Sequence, residues 1–310
     1  MQRLAILTAF ATAAAVWMAT QQRPLVAFQS EPESQQPVPA DDSAAPAGDS
    51  PGTVNDPAGT PGAEQPAAVP ASPPPDPAIV AAAEQLLRDA RDRLYAYPAV
   101  RATFVERATI GNRRFSASGS YLSGKYPALK LEYRVQVGGS EGILKEVCDG
   151  NVLRTSKEIR PVGAGTDEPT LSHWSRKDIN QILEASSAEG TPVAAVLEAE
   201  LSLGGIPTLL TSIERTMLFD SLRHQTWHGR PVTVIEGGWR PEAIQRIVRQ
   251  MGPQIQQIGN FIPDRVRVYF DEQTMFPTRI LYRKRVGEGP AAYVPLLSLE
   301  FTDVRFPSEV

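Results

Sequence analysis

At 310 residues and 42% apolar content the chain is long enough for one large domain or two small ones, and its formal charge of −4 sets it apart from nucleic-acid binders, which show a strongly basic domain or face. The charge is unevenly spread: residues 21–77 carry 14 of the 28 prolines and a net −7, which leaves 78–310 with 29 Lys plus Arg against 27 Asp plus Glu, close to neutral. Cys148 is the single cysteine, so no intramolecular disulfide can form.

Arg3 precedes an apolar run, Leu4 to Ala19, interrupted only by Thr8 and Thr12. Residues 1–22 therefore read as an export signal, cleaved or retained as an N-terminal membrane anchor, and either reading places the chain outside the cytoplasm, in the periplasm or cell envelope. No cysteine follows the run, which excludes acylation of the bacterial lipoprotein type. Residues 23–76 form a Pro/Ala-rich acidic stretch whose only aromatic is Phe28. With too little apolar surface to offset the entropy of ordering, it is expected to be a disordered, solvated linker.

A domain over 77–310 opens at Asp76-Pro77, an N-cap side chain followed by a proline at the first helical position. Ile79, Val80, Ala83, Leu86, Leu87, Ala90, Leu94 and Tyr97 then recur at helical spacing until Pro98. From Arg101 the period falls to two. Phe115, Ala117, Gly119 and Tyr121 alternate with serines, and Leu129, Leu131, Tyr133, Val135 and Val137 alternate with Lys130, Glu132, Arg134 and Gln136. Gly111-Asn112, Gly138-Gly139 and Asp149-Gly150-Asn151 supply the turns of an antiparallel meander.

Between about 172 and 251 the helical period returns, with start signals at Ser175 (Asp178 three residues on), Thr191-Pro192, Pro207 and Pro241. From Val193 to Met217 the polar face nearly vanishes, as in helices covering an apolar sheet or cavity. Strands resume at Pro231–Glu236, at 265–271 with Val266, Val268 and Phe270 on one side, at Pro277–Arg285 and at Leu296–Phe306.

Several residue types invite chemical readings. His224 and His228 have a metal-binding spacing only on a helix, whereas Trp227, Gly229 and the strand after them point to a hairpin. Cys148 sits in an apolar stretch and reads as a buried structural thiol, and His173 beside Trp174 as a surface residue. Arg279, Arg283, Lys284 and Arg285 make either a solvated strand face or a receiver for anionic head groups. The chain holds no nucleophile elbow and no phosphate-binding glycine loop, and neither catalytic activity nor a cofactor or metal is expected.

The stretch from Gly119 through Tyr121, Lys125, Tyr126 and Pro127 to Tyr133, the turn Asp149-Gly150-Asn151, and the C-terminal Tyr269–Ile280 and Phe301–Phe306 together resemble the LolA/LolB-like superfamily of periplasmic lipoprotein carriers. The resemblance covers most of 79–310 and implies an α+β fold, a curved antiparallel half-barrel sheet covered by helices. Alternation alone suits a solid core equally well; the resemblance implies instead an apolar cavity between sheet and helices, lined by Tyr121, Leu129, Leu131, Tyr133, Leu197, Leu209, Val268 and Phe270. Its occupant would be a lipid or an acylated protein. The family's carriers place an arginine immediately before the turn proline, where this chain has Tyr126. Besides a lipid carrier, two readings stay open: a cell-envelope protein-interaction module, and an unrecognised hydrolase.

Overall fold

The computed structural model describes residues 75–110, 113–163, 171–181, 184, 205–252, 259–287 and 292–308. The expected signal or anchor (1–22), almost all of the linker, Gly111-Asn112 and the helix start at Thr191-Pro192 lie outside them. Among the described residues no helix is long and apolar enough to cross a membrane.

Asp76 caps the first helix, α1 (Pro77–Ala96): its carboxylate accepts the Ala78 N–H at 2.8 Å, and Pro77 gives up an amide that would have no helical partner. Ala83, Leu87, Ala90 and Leu94, one stripe of that helix, are buried. Tyr97 leaves the helix in an extended conformation, as the residue before a proline must.

A meander follows, β1 (Val100–Ile110), β2 (Arg113–Ser123), β3 (Leu129–Val137), β4 (Ser140–Cys148), β5 (Val152–Pro161) and β6 (Leu171–Asp178). Then come α2 (Gly205–Thr216), the hairpin β7 (Met217–Trp227) and β8 (Arg230–Trp239), α3 (Pro241–Met251), a 3-10 turn at Gly259–Phe261, and β9 (Arg265–Asp271), β10 (Pro277–Arg285) and β11 (Tyr293–Arg305). The strands form one open antiparallel sheet in the order β6-β5-β4-β3-β2-β1-β11-β10-β9-β8-β7. This is the expected half-barrel α+β fold. The last strand returns to pair with the first, bringing Phe104 opposite Phe301 and Glu106 opposite Leu299.

Period-two alternation sorts each strand into two faces. Leu129, Leu131, Tyr133 and Val135 are buried, whereas Lys130 and Arg134 are exposed and Glu132 is half-exposed. Tyr121 pairs with Leu131, and Val268 with Ile280 and Ile235, so these residues share the inner face. Helices α1 and α2 cover that face with Leu87, Leu94, Ile206, Leu210 and Ile213 in one continuous core. An ion network ties the cover together: Glu214 on α2 accepts from Arg88 at 3.0 Å and Arg91 at 2.9 Å on α1, and Arg240 pairs with Glu84. Gly119 on β2 leaves no room for a Cβ, which would run into the Glu132 carbonyl of β3 and stand 2.5 Å from the Phe104 ring of β1.

Two expectations for 172–251 need correction. Residues 171–178 form an edge strand paired with β5, not a helix begun at Ser175. The capping signal belongs to Asp178, whose carboxylate accepts the Gln181 N–H at 3.2 Å as a helical turn starts one position later. Met217 is the first residue of β7, not part of the preceding helix: Met217 and Phe219 are fully buried while Asp220 is exposed, a strand pattern. The helix around Pro207 and the one opened by Pro241 are present.

Candidate functional site

Seven of the eight residues expected to line a cavity come together on the inner layer. Tyr121, Leu129, Leu131, Tyr133, Leu209, Val268 and Phe270 are all buried in the core shared by sheet and helices. Leu197 lies outside the described residues.

At one margin of this layer is a gap of about 40 Å³, bounded by Leu94 and Tyr95 at the end of α1, Tyr121 and Leu129 with the β2–β3 loop, and Gly205 and Pro207 at the start of α2. It is large enough for one or two waters. Tyr95 and Tyr126 stand at its rim, about half-exposed and edge to face at 5.9 Å, and the Tyr126–Pro127 peptide is cis. Beneath them the Tyr121 hydroxyl meets the Ser123 side chain and the Ile206 amide, and burial raises its pKa. Gly205, at φ 54, lies against the Tyr121 ring with no room for a Cβ. Tyr126, immediately before the turn proline, is thus an aromatic residue at the rim of the gap.

Farther in, the apolar layer contains a carboxyl group. Glu106, on β1, is 3% exposed and accepts one hydrogen bond, from the Tyr133 hydroxyl at 3.3 Å. Burial pushes its carboxyl up to about 7, against the lowering effect of that bond. Burial first, then the charge of Glu106, raises both Tyr133 and Tyr282. The buried Tyr282 hydroxyl has no hydrogen-bond partner among the described residues. Neither Glu106 nor Tyr282 was anticipated from the sequence. The signal for the first was there: in Ala102, Phe104, Glu106, Ala108 a charged residue occupies the inward register.

The outer face is built differently. Glu236 on β8, also buried, faces four guanidinium groups: Arg267 at 2.7 Å, Arg283 at 2.9 Å, Arg265 at 3.3 Å and Arg223 at 3.4 Å. Burial works to raise its carboxyl, but Arg267, Arg265 and Arg283 together hold it below the ordinary range. Arg279 lies over the Trp227 ring at 4.5 Å, and Lys284 donates to the Gly259 and Ile262 carbonyls and to Asp264. The basic run at 279–285 is therefore largely matched within the fold.

His224 sits in β7 with Nδ1 2.7 Å from a Glu272 oxygen, and His228 occupies the β7–β8 turn, so the pair has hairpin geometry and not helical spacing. His173 is exposed on β6. Cys148 is buried at the end of β4, its thiol raised by burial. Among the described residues no group of three or more His, Cys, Asp or Glu side chains is placed to hold a metal ion.

No family model and no curated protein matches the sequence. Solved structures do match. MucB is 13% identical, with a TM-score of 0.37, over 74% of this chain and 60% of its own, so the chain spans about three-fifths of that protein's length. LprF from Mycobacterium bovis is 10% identical, with a TM-score of 0.35, over 75% and 97%. A LolA superfamily protein from Nitrosomonas europaea is 11% identical, with a TM-score of 0.23, over 73% and 93%.

Proposed function

We propose that this chain is an extracytoplasmic binding domain for lipid or for the acyl chains of a lipoprotein, and not an enzyme. The observation that carries the reading is the apolar inner layer with a gap at its margin: Leu129 and Pro207 line the gap, and Leu131, Leu209, Val268 and Phe270 continue the apolar surface behind it. Burying a methylene contributes about 0.8 kcal/mol, so a long acyl chain taken up by this layer is held without any cationic anchor. Selectivity among head groups would then be low, in keeping with Tyr126 at the rim. The apolar run at 4–19 supports an extracytoplasmic location, with the domain free or held at the membrane by that segment.

Mass spectrometry of lipid carried through purification of the full chain, with titration of an acyl-chain fluorophore, tests this. Saturable binding weakened by Leu209→Trp in a folded variant supports it; absence of both lipid and binding removes it. One observation favours a second reading, a cell-envelope protein-interaction module. Leu171 and Trp174 on β6 are 74% and 68% exposed, on a strand that ends the sheet among the described residues, where an added strand could pair. A partner lost on Trp174→Lys with lipid binding intact would support that reading.

A further inference from the structure

Buried acids elsewhere in the fold are matched. Glu236 has its arginines, and Asp271 accepts the Gln273 and Thr274 N–H groups and the Thr274 hydroxyl. Glu106 has the single bond from Tyr133, and the Tyr282 hydroxyl has none among the described residues. All three project from the inner face: Glu106 from β1, Tyr133 from β3 two strands to one side, Tyr282 from β10 two strands to the other. The cross-strand neighbours of Glu106 are Ala117 and Leu299, so the titratable groups facing it from the sheet are those two tyrosines. Buried hydrogen-bonding groups in native proteins find partners. An unmatched hydroxyl beside a carboxyl, surrounded by aliphatic and aromatic side chains, is complementary to a small group that accepts one hydrogen bond, shares a proton and rides on an apolar chain. Along β3 the inner residues Leu131 and Tyr133 lie between Leu129 at the gap and Glu106, a span of about 13 Å at strand rise.

We propose that Glu106 and Tyr282 receive the carboxyl end of a long-chain fatty acid whose tail lies along Tyr133, Leu131 and Leu129 toward the gap. This deepens, and rests on, the acyl-binding reading above. One proton is shared between the two carboxyls, from Glu106 or from the ligand, so that a single O–H···O bond forms and the complex carries one negative charge. The second ligand oxygen accepts from Tyr282. Tyr133 is a positioning residue that keeps the Glu106 carboxyl turned toward the site. When both carboxyls are ionised they repel, so binding takes up a proton and weakens as pH rises through the neutral range in which Glu106 titrates.

Fluorescence titration of the full chain with cis-parinaric acid and with its methyl ester, between about pH 6 and about pH 8.5, reads this out. The wild type should bind the acid saturably and lose about tenfold in affinity across that range, while the ester, which carries no charge for ionised Glu106 to repel, shows a clearly smaller pH dependence. Glu106→Gln should keep binding but flatten the profile, and Tyr282→Phe should weaken the acid about tenfold at the lower pH, with circular dichroism unchanged in both. Saturable acid binding indifferent to both substitutions overturns the proposal while sparing the carrier reading, and means that water alone occupies the polar group. Failure of the wild type to bind either probe overturns the carrier reading, and this proposal with it.

Discussion

Glu106 makes stability depend on pH in a direction opposite to that of a salt-bridged acid. Its carboxyl titrates at about 7 in the fold against 4.5 for a solvated glutamate. Below 4.5 both folded and unfolded chains hold the proton, and the group contributes nothing to the balance. As pH rises from there to about 7 the unfolded chain releases its proton and the fold keeps it, so stability falls, by about 3 kcal/mol once the fold too is ionised. Urea unfolding of the wild type and of Glu106→Gln should therefore give a difference that grows with pH through this window in favour of the glutamine; a difference independent of pH would refute the assignment. At Gly205 the constraint is steric. A Cβ there would stand 2.8 Å from Cε2 of Tyr121, on a backbone at φ 54, so Gly205→Ala should cost about 2 kcal/mol and lower the melting temperature, where the same change at an open site costs a few tenths.

Two elements of similar alternation are held by different forces. On β3, Leu131 faces the core while Glu132 lies outward beside Arg134, to which it bonds at 2.6 Å. Leu131→Asp should cost at least about 3 kcal/mol, and Glu132→Ala well under about 1 kcal/mol, in chemical denaturation; equal losses would mean that the strand is set in the wrong register. On β8, β9 and β10 the outer face instead collects Arg265, Arg267 and Arg283 around Glu236. Removing the acid leaves half-buried cations facing one another, so Glu236→Ala should destabilise by about 3–5 kcal/mol, and sulfate should restore more stability to the variant than chloride at equal ionic strength. An equal response to the two salts would show that the arginines are already solvated.

At the scale of the molecule, the inner layer of the sheet and helices α1 and α2 share one core, in which Leu87 of α1 is almost fully buried. Leu87→Ala should therefore cost about 2–5 kcal/mol, and the loss should be felt everywhere at once. Trp239, whose indole N–H donates to the Pro263 carbonyl at 2.5 Å, reports on β8 by fluorescence once the other three tryptophans are replaced by Phe, and far-ultraviolet circular dichroism reports on helices and sheet together. Coincident midpoints that shift together are expected. If the helical cover melts first, the two signals will separate.

The α1 helix, the meander and the C-terminal strands were legible from residue order because each announces itself locally: a cap and a proline at Asp76-Pro77, strict alternation at 129–137, and Val266, Val268 and Phe270 on one side of 265–271. Local pattern also placed Leu131 and Tyr133 inward, since a strand with one buried face admits a single register. It failed at β6, where an exposed edge strand has no apolar period to display and a capping signal three residues away reads as a helix start. It failed at Met217, where α2 passes directly into β7 with no turn residue between them and Met217 still falls at helical spacing from Leu210 and Ile213. The polar group within the core was a matter of tertiary structure alone, because Glu106, Tyr133 and Tyr282 lie far apart in the chain and meet only when β11 pairs with β1 and sets β10 beside it. Sequence order determines which face each side chain takes; only the long-range pairing decides which side chains share that face, and how far burial then shifts their chemistry.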